Sequence, residues 1–333
     1  MPISLLDWLS LEDGSTIRYE LVAARLSDPP ALSGSRLGHR QLGSAAVSDP
    51  SATRPSPCAL LDLAIDVADE AVRMIRTALS EGRGTIDAKS SSTDLVTATD
   101  RAVEAMIVRR ILAVRPNDGF LGEEGAADPG TSGVRWIVDP IDGTTNFVFG
   151  YPAFCTSVAA EVDGVVVAGC VHDAVSGERF TATQGGGAEV SCPDRPDLAA
   201  TPLAVRAEGP PLGEALVGTG FGYGIERRMV QGGIAGAVLP RVRDLRRSGS
   251  CALDLCWLAA GRLDAYFERG PHRWDVAAAG LIAMEAGAWL GALEAEVSPN
   301  DLDAEVTIVA ARPDLRGPLL DLLREVGAGG ELA

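Results

Sequence analysis

Between residues 59 and 79 apolar side chains recur three or four positions apart: Leu60, Leu63, Ala64, Val67, Ala71, Met74 or Ile75, and Leu79. That spacing lays them on one stripe of an α-helix and predicts core packing for it. Polar residues from Lys89 to Thr93 give way to a short extended piece. Asp100 is then placed to cap a helix over residues 101–114, with Val103, Ile107 and Ile111 inward. Phe120-Leu121-Gly122-Glu123-Glu124-Gly125 reads as an apolar pair running into an exposed turn. Trp136-Ile137-Val138 reads as a buried strand. Pro140, which has no N–H for a ladder, is expected to end it.

Residues 157–162, 165–171 and 179–182 are strand-like. Asp163-Gly164 and Ser176-Gly177 separate them with hairpin turn chemistry, which predicts antiparallel pairing. Gly185-Gly186-Gly187 lacks the Lys-Ser/Thr that follows in a phosphate loop and reads as a flexible turn. Residues 193–211 are rich in Pro and polar residues and mark a domain boundary. Beyond them, strands at 215–218, 244–247, 265–268 and 306–310 alternate with helices at 227–239, 250–260, 275–287 and 313–326, the pattern of an α/β layer. Residues 1–57 carry no sustained period and read as a disordered or loosely attached extension. The expected organisation is therefore that extension, an N-terminal α+β part over 58–198 and a C-terminal α/β part over 199–333.

Length and charge narrow the function. A chain of 333 residues can bury sizeable cores in two domains. A net charge of −17 argues against a nucleic-acid surface, which needs a basic patch. Basic residues are almost all Arg, and Lys89 is the only Lys. The six cysteines form no C-x-x-C pair and most lie in apolar segments, which predicts free thiols and a cytoplasmic location. No apolar run approaches the roughly 20 residues that span a membrane.

The candidate chemistry centres on Asp139-Pro140-Ile141-Asp142-Gly143-Thr144-Thr145. Two carboxylates at a strand end attract a hard cation, and small residues opening a helix offer backbone N–H groups to an anion. Together they predict a metal-assisted phosphoester site. Glu123-Glu124 supplies a plausible third arm. Asp275, after Trp274, is well placed as the cap of a strongly apolar helix, and Glu268 ends the strand before it. All-oxygen ligands suit Mg²⁺ over Zn²⁺.

Glu123-Glu124, Asp139-Pro140-Ile141-Asp142-Gly143-Thr144 and Trp274-Asp275, in this order, resemble the Mg²⁺-dependent, lithium-sensitive inositol monophosphatases, closest to the bacterial SuhB-like branch. Lys89-Ser90-Ser91, residues 94–100 and Gly249-Ser250 also look like family segments, and the resemblance covers about residues 58–326. It implies an α+β sugar-phosphatase fold of alternating α-β-α-β-α layers with two subdomains. It implies that Glu123, Asp139 and the carbonyl of Ile141 hold one Mg²⁺, and that Asp139, Asp142 and Asp275 hold a second. Glu123 would touch a third. Thr144 and Asp100 would orient the attacking water, and the N–H groups of Gly143 and Thr144 would bind phosphate. Asp142, Cys251 and Glu268 would face the inositol hydroxyls, although Cys251 stands where a small Ala is expected. Lys89 would support the metal site, and the chain would form a homodimer. The implied substrate is inositol 1-phosphate. Histidinol phosphate, fructose 1,6-bisphosphate and 3′-phosphoadenosine 5′-phosphate are rivals, as is a SuhB-like regulatory binding role.

Overall fold

The computed structural model describes residues 55–81, 86–88, 95–294, 298–302 and 306–329. Lys89 and the extension up to residue 54 lie outside the described residues. The predicted first helix is α1, Pro57–Glu81, and it buries Leu60, Ala64, Val67, Ala71 and Ile75 as the stripe requires. A short antiparallel pair follows, β1 (Ile86–Ala88) with β2 (Leu95–Thr97). It leads into α2, Ala98–Val114.

Asp100 is not the N-cap of α2. Thr97 takes that place, and Asp100 sits three residues later in a capping box. The Thr97 hydroxyl oxygen accepts from the N–H groups of Thr99 (3.1 Å) and Asp100 (3.3 Å), while Asp100 Oδ2 accepts from the Thr97 N–H at 2.8 Å. Two residues satisfy each other's backbone donors, which a lone cap cannot do.

Eight strands form the larger sheet: β3 (Gly119–Gly122), β4 (Ala127–Asp128), β5 (Val134–Asp142), β6 (Cys155–Val162), β7 (Val165–Asp173), β8 (Arg179–Thr183), β9 (Gly187–Ser191) and β10 (Thr201–Pro202). Their order is β10-β9-β8-β7-β6-β5-β3-β4. The hairpins at Asp163-Gly164 and Ser176-Gly177 are antiparallel as expected. Pro140 does not end its strand. β5 continues to Asp142, and its register with β6 shifts between Asp139 and Asp142. A bulge there leaves Pro140 with no ladder donor to supply.

A second sheet follows: β11 (Leu216–Thr219), β12 (Asp244–Arg246), β13 (Ala265–Arg269), β14 (Trp289–Ala292) and β15 (Thr307–Ala311), in the order β12-β11-β13-β15-β14. It is mixed, because β15 runs antiparallel to both neighbours. The alternating helices are α4 (Ile225–Val238), α5 (Cys251–Ala259), α6 (Arg273–Glu285) and α7 (Arg316–Glu325), and the short α3 (Thr144–Phe149) follows β5.

Strands buried on both faces build the layers. On β5, Trp136 and Val138 join α1 and α2 in one core, and Ile137 joins α5 and α6 in another. On β13, Tyr266 faces that second core, while Ala265 and Phe267 face a third with α4 and α7. The result is the α-β-α-β-α layering of the expected α+β fold. Among the described residues no helix is long and apolar enough to cross a membrane.

Candidate active site

The bulge in β5 sets the site. It brings Asp139 and Asp142, 2 % and 7 % exposed, to one end of the sheet. The chain then turns at Gly143, whose φ of 93° is left-handed; a Cβ there would also meet the Ala153 carbonyl oxygen at 2.8 Å. Helix α3 opens after it with no side-chain cap, so its first N–H groups are left without a side-chain partner. Asn146 fastens α3 by donating from Nδ2 to the carbonyls of Ala153 (2.7 Å) and Ser248 (2.8 Å).

Distant segments close around this corner. Asp142 Oδ2 accepts from Ser250 Oγ at 2.6 Å and from the Ala252 N–H at 2.7 Å, which ties β5 to the start of α5. Burial pushes the Asp142 carboxyl up to about 6, with those two donors acting against the rise. Asp275 arrives on α6. His272 is the N-cap of that helix, not Asp275, which sits three residues on and accepts the His272 N–H at 2.6 Å. The His272 ring stacks on Trp274, with centroids 4.6 Å apart. One carboxylate oxygen from each of Asp139, Asp142 and Asp275 lies within 4.8 Å of the others. Glu123, just past β3, lines the same cavity. Burial, then the charges of Glu123, Asp142 and Asp275, hold Asp139 well above the usual carboxylate range.

Behind this cluster, Thr144 Oγ1 lies 3.0 Å from Asp100 Oδ1 and 3.0 Å from the Ile141 carbonyl oxygen. Asp100 is buried, and that burial raises its carboxyl. On the other side Cys251 and Glu268 line the cavity, whose volume is about 420 Å³. Burial pushes Glu268 up to about 7, against the Tyr266 hydroxyl that donates to it at 2.5 Å. Every described residue expected at the site thus converges on one cavity or its wall; Lys89 lies outside the described residues.

The sequence reading missed Glu104. This buried carboxylate on α2 accepts the N–H groups of Glu124 at 2.9 Å and Ala126 at 3.0 Å, and so grips the turn that carries Glu123. A Cβ on Gly122 would strike its Oε2 at 2.2 Å, so the approach needs glycine. The one signal for it in the sequence is a Glu on the helix face that otherwise carries Val103, Ile107 and Ile111. It also missed Arg227, Arg247 and Asp254, which line the same cavity.

The residues present fit a divalent cation. Asp139 Oδ1 is buried with no hydrogen-bond partner, although burying an unpaired carboxylate oxygen is costly. A cation among these oxygens supplies the missing partner and offsets their mutual repulsion, and an all-carboxylate set favours a hard ion.

Comparison with known proteins agrees with this geometry. The profile of the inositol monophosphatase family matches residues 58–328. Inositol-1-monophosphatase SuhB of Mycobacterium tuberculosis is 40 % identical over 82 % of this chain and 96 % of its own length. The Nus factor SuhB of Vibrio cholerae is 36 % identical over 80 % of this chain and 97 % of its own. The solved structure of Mycobacterium tuberculosis SuhB superposes with a TM-score of 0.69 over 82 % of this chain and 99 % of that one, at 38 % identity. The carboxylates that the β5 bulge and the two capping boxes assemble thus sit in a chain that belongs to the inositol monophosphatase family.

Proposed function

We propose that this protein hydrolyses a small phosphate monoester with the help of Mg²⁺, with myo-inositol 1-phosphate as the reference substrate. The observation that carries the reading is the convergence of Asp139, Asp142 and Asp275 within 4.8 Å, beside Glu123 and the opening of α3. Glu123, Asp139, Asp142, Asp275 and the Ile141 carbonyl would hold two to three ions. Bound there, the ions would make a water molecule more acidic and neutralise charge on the phosphate and on the departing alkoxide.

The remaining work falls to the chain. The Thr144 hydroxyl donates to the Asp100 carboxylate, a better acceptor than the neutral Ile141 carbonyl. Its lone pair is then free to take a hydrogen bond from the attacking water. Asp100, with its raised carboxyl, can receive a proton through that hydroxyl. The N–H groups of Gly143 and Thr144 hold phosphate oxygens, and Cys251 and Glu268 face the alcohol. The buried Cys251 thiol, pushed up by burial, acts there as a neutral wall. A cytoplasmic homodimer inhibited by Li⁺ completes the reading. The name of the Vibrio relative supports a second one, a regulatory protein contact; the full carboxylate set favours catalysis.

The test is phosphate release from myo-inositol 1-phosphate. It is expected in Mg²⁺ and absent in excess chelator. No release from any small phosphate ester, with a transcription factor co-purifying, would reverse the choice.

Glu104 provides a separate prediction. Glu104→Ala frees the turn that carries Glu123, so the Mg²⁺ concentration for half-maximal rate is expected to rise about tenfold or more, the range seen when a residue supporting a metal ligand is lost. Glu104→Gln, which keeps one acceptor, should recover part of it. An unchanged Mg²⁺ requirement in the Ala variant would show that Glu123 is placed by other means.

A further inference from the structure

Tyr266 and Glu268 stand two residues apart on β13, so their side chains leave the same face of the strand. Strand β11 runs parallel beside them, with Gly218 paired to Tyr266 and Thr219 to Phe267. Two glycines of β11 make the room these side chains occupy. A Cβ on Gly218 would meet Tyr266 Cδ2 at 3.1 Å, and one on Gly220 would overlap both carboxylate oxygens of Glu268. Tyr266 is fully buried, so its hydroxyl needs a partner inside the protein. It donates to Glu268 Oε2 at 2.5 Å. A hydroxyl has one proton to give, and the carboxylate takes it. The lone pairs that remain face the Cys251 thiol, which lies within hydrogen-bonding reach.

Cys251, Tyr266 and Glu268 thus form a row that runs from the start of α5 to the cavity wall. Only Glu268 Oε2 is used in that row. Its other oxygen, Oε1, has no hydrogen-bond partner among the described residues. An unheld glutamate would sample several rotamers and lose that freedom on binding. One held in advance spares the complex that loss. Burial pushes the Glu268 carboxyl up to about 7, and the Tyr266 donor opposes the rise, which helps to keep the group an acceptor. We propose that Tyr266 is a positioning residue that sets the alcohol specificity of the site: it fixes Glu268 so that Oε1 accepts a hydrogen bond from a hydroxyl of the substrate. This rests on the phosphatase reading above and narrows its substrate class to esters whose alcohol part carries a further free hydroxyl. A site built around a fixed acceptor rejects the analogue that lacks the hydroxyl, because the acceptor is then desolvated with no partner.

The experiment compares myo-inositol 1-phosphate with cyclohexyl phosphate, which has the same ring size and no free hydroxyl on the ring. The wild-type protein should show the higher kcat/KM for the inositol ester. Tyr266→Phe, which removes one oxygen, should lower the ratio of the two kcat/KM values about tenfold, mainly through the KM for the inositol ester. The Mg²⁺ concentration for half-maximal rate should stay the same, since Tyr266 does not hold the carboxylate cluster. Gly220→Ala displaces the same carboxyl from the β11 side and should lower the ratio in the same direction, which keeps the test open if Tyr266→Phe fails to fold. Thermal melting checks both variants. A wild-type protein that prefers the cyclohexyl ester, or folded variants that slow both substrates alike or leave the ratio unmoved, overturn the proposal while leaving the phosphatase reading intact. Release from neither substrate by the wild type overturns both.

Discussion

Asp139→Asn is expected to lower kcat for phosphate release about 10³-fold or more while the protein stays folded. Loss of one preorganised electrostatic contact in an active site typically costs about 10²–10³ in rate. Asp139 lies within 4.8 Å of Asp142 and Asp275 and feels the charge of Glu123, so its loss removes an interaction with each of the three. Asp139 is buried with one oxygen unpaired, and an amide of nearly equal shape removes a charge that its neighbours repel. The melting temperature in chelator should therefore equal or exceed that of the wild type, and the rise on adding Mg²⁺ should shrink. Near-normal turnover in this variant would sink the assignment of the site.

The second large effect is the pH dependence of the metal-free protein. Asp142 has an ordinary carboxylate value of 3.8 in the unfolded chain and about 6 in the folded one. Between those values the folded chain holds a proton that the unfolded chain has released, so its stability falls as pH rises through that window. The shift amounts to about 3 kcal/mol from Asp142 alone, at roughly 1.4 kcal/mol per pH unit. Asp139 and Asp275 are also raised, by burial and by their neighbours' charges, and extend the loss to higher pH. A divalent cation replaces those protons. The gap in melting temperature between Mg²⁺ and chelator should widen from about pH 4 to neutrality, by several degrees for a domain of this size. Comparing the two conditions cancels ordinary acid-sensitive pairs such as Asp69 with Arg179, which titrate in both. A gap that stays constant across this range would show that the carboxylates do not share their charge.

Much of this molecule could be read one residue at a time. Helix α1 followed from its stripe, and the β6-β7-β8 meander followed from Asp163-Gly164 and Ser176-Gly177, because helical periods and tight turns are local properties. Asp139 and Asp142 stood out because a metal site needs carboxylates and the motif places two of them three residues apart. Three local readings failed for one reason. Pro140 was expected to stop a strand, but the bulge against β6 removed the need for its N–H. Asp100 and Asp275 were expected at helix caps, but each serves a cap residue three positions earlier, Thr97 or His272. In each case a partner's backbone, not the residue's own preference, decided the geometry. Strand β14 escaped notice because four residues, one of them Gly291, are too few for an alternating pattern to register.

The sequence by itself determined the chemistry: which carboxylates exist, which turns and helices carry them, and that a hard cation with a phosphate ester suits them. Only the tertiary structure decided how they meet. Glu104 reaches the Glu123 turn from 20 residues away, Ser250 reaches Asp142 across 108, and Arg227 of α4 lines the same cavity as Arg247 from the loop before α5. Periodicity and turn chemistry act over a few residues. Desolvation, repulsion between buried charges and the pairing of a bulged strand depend on distance in space, which takes its value only after the layers have packed.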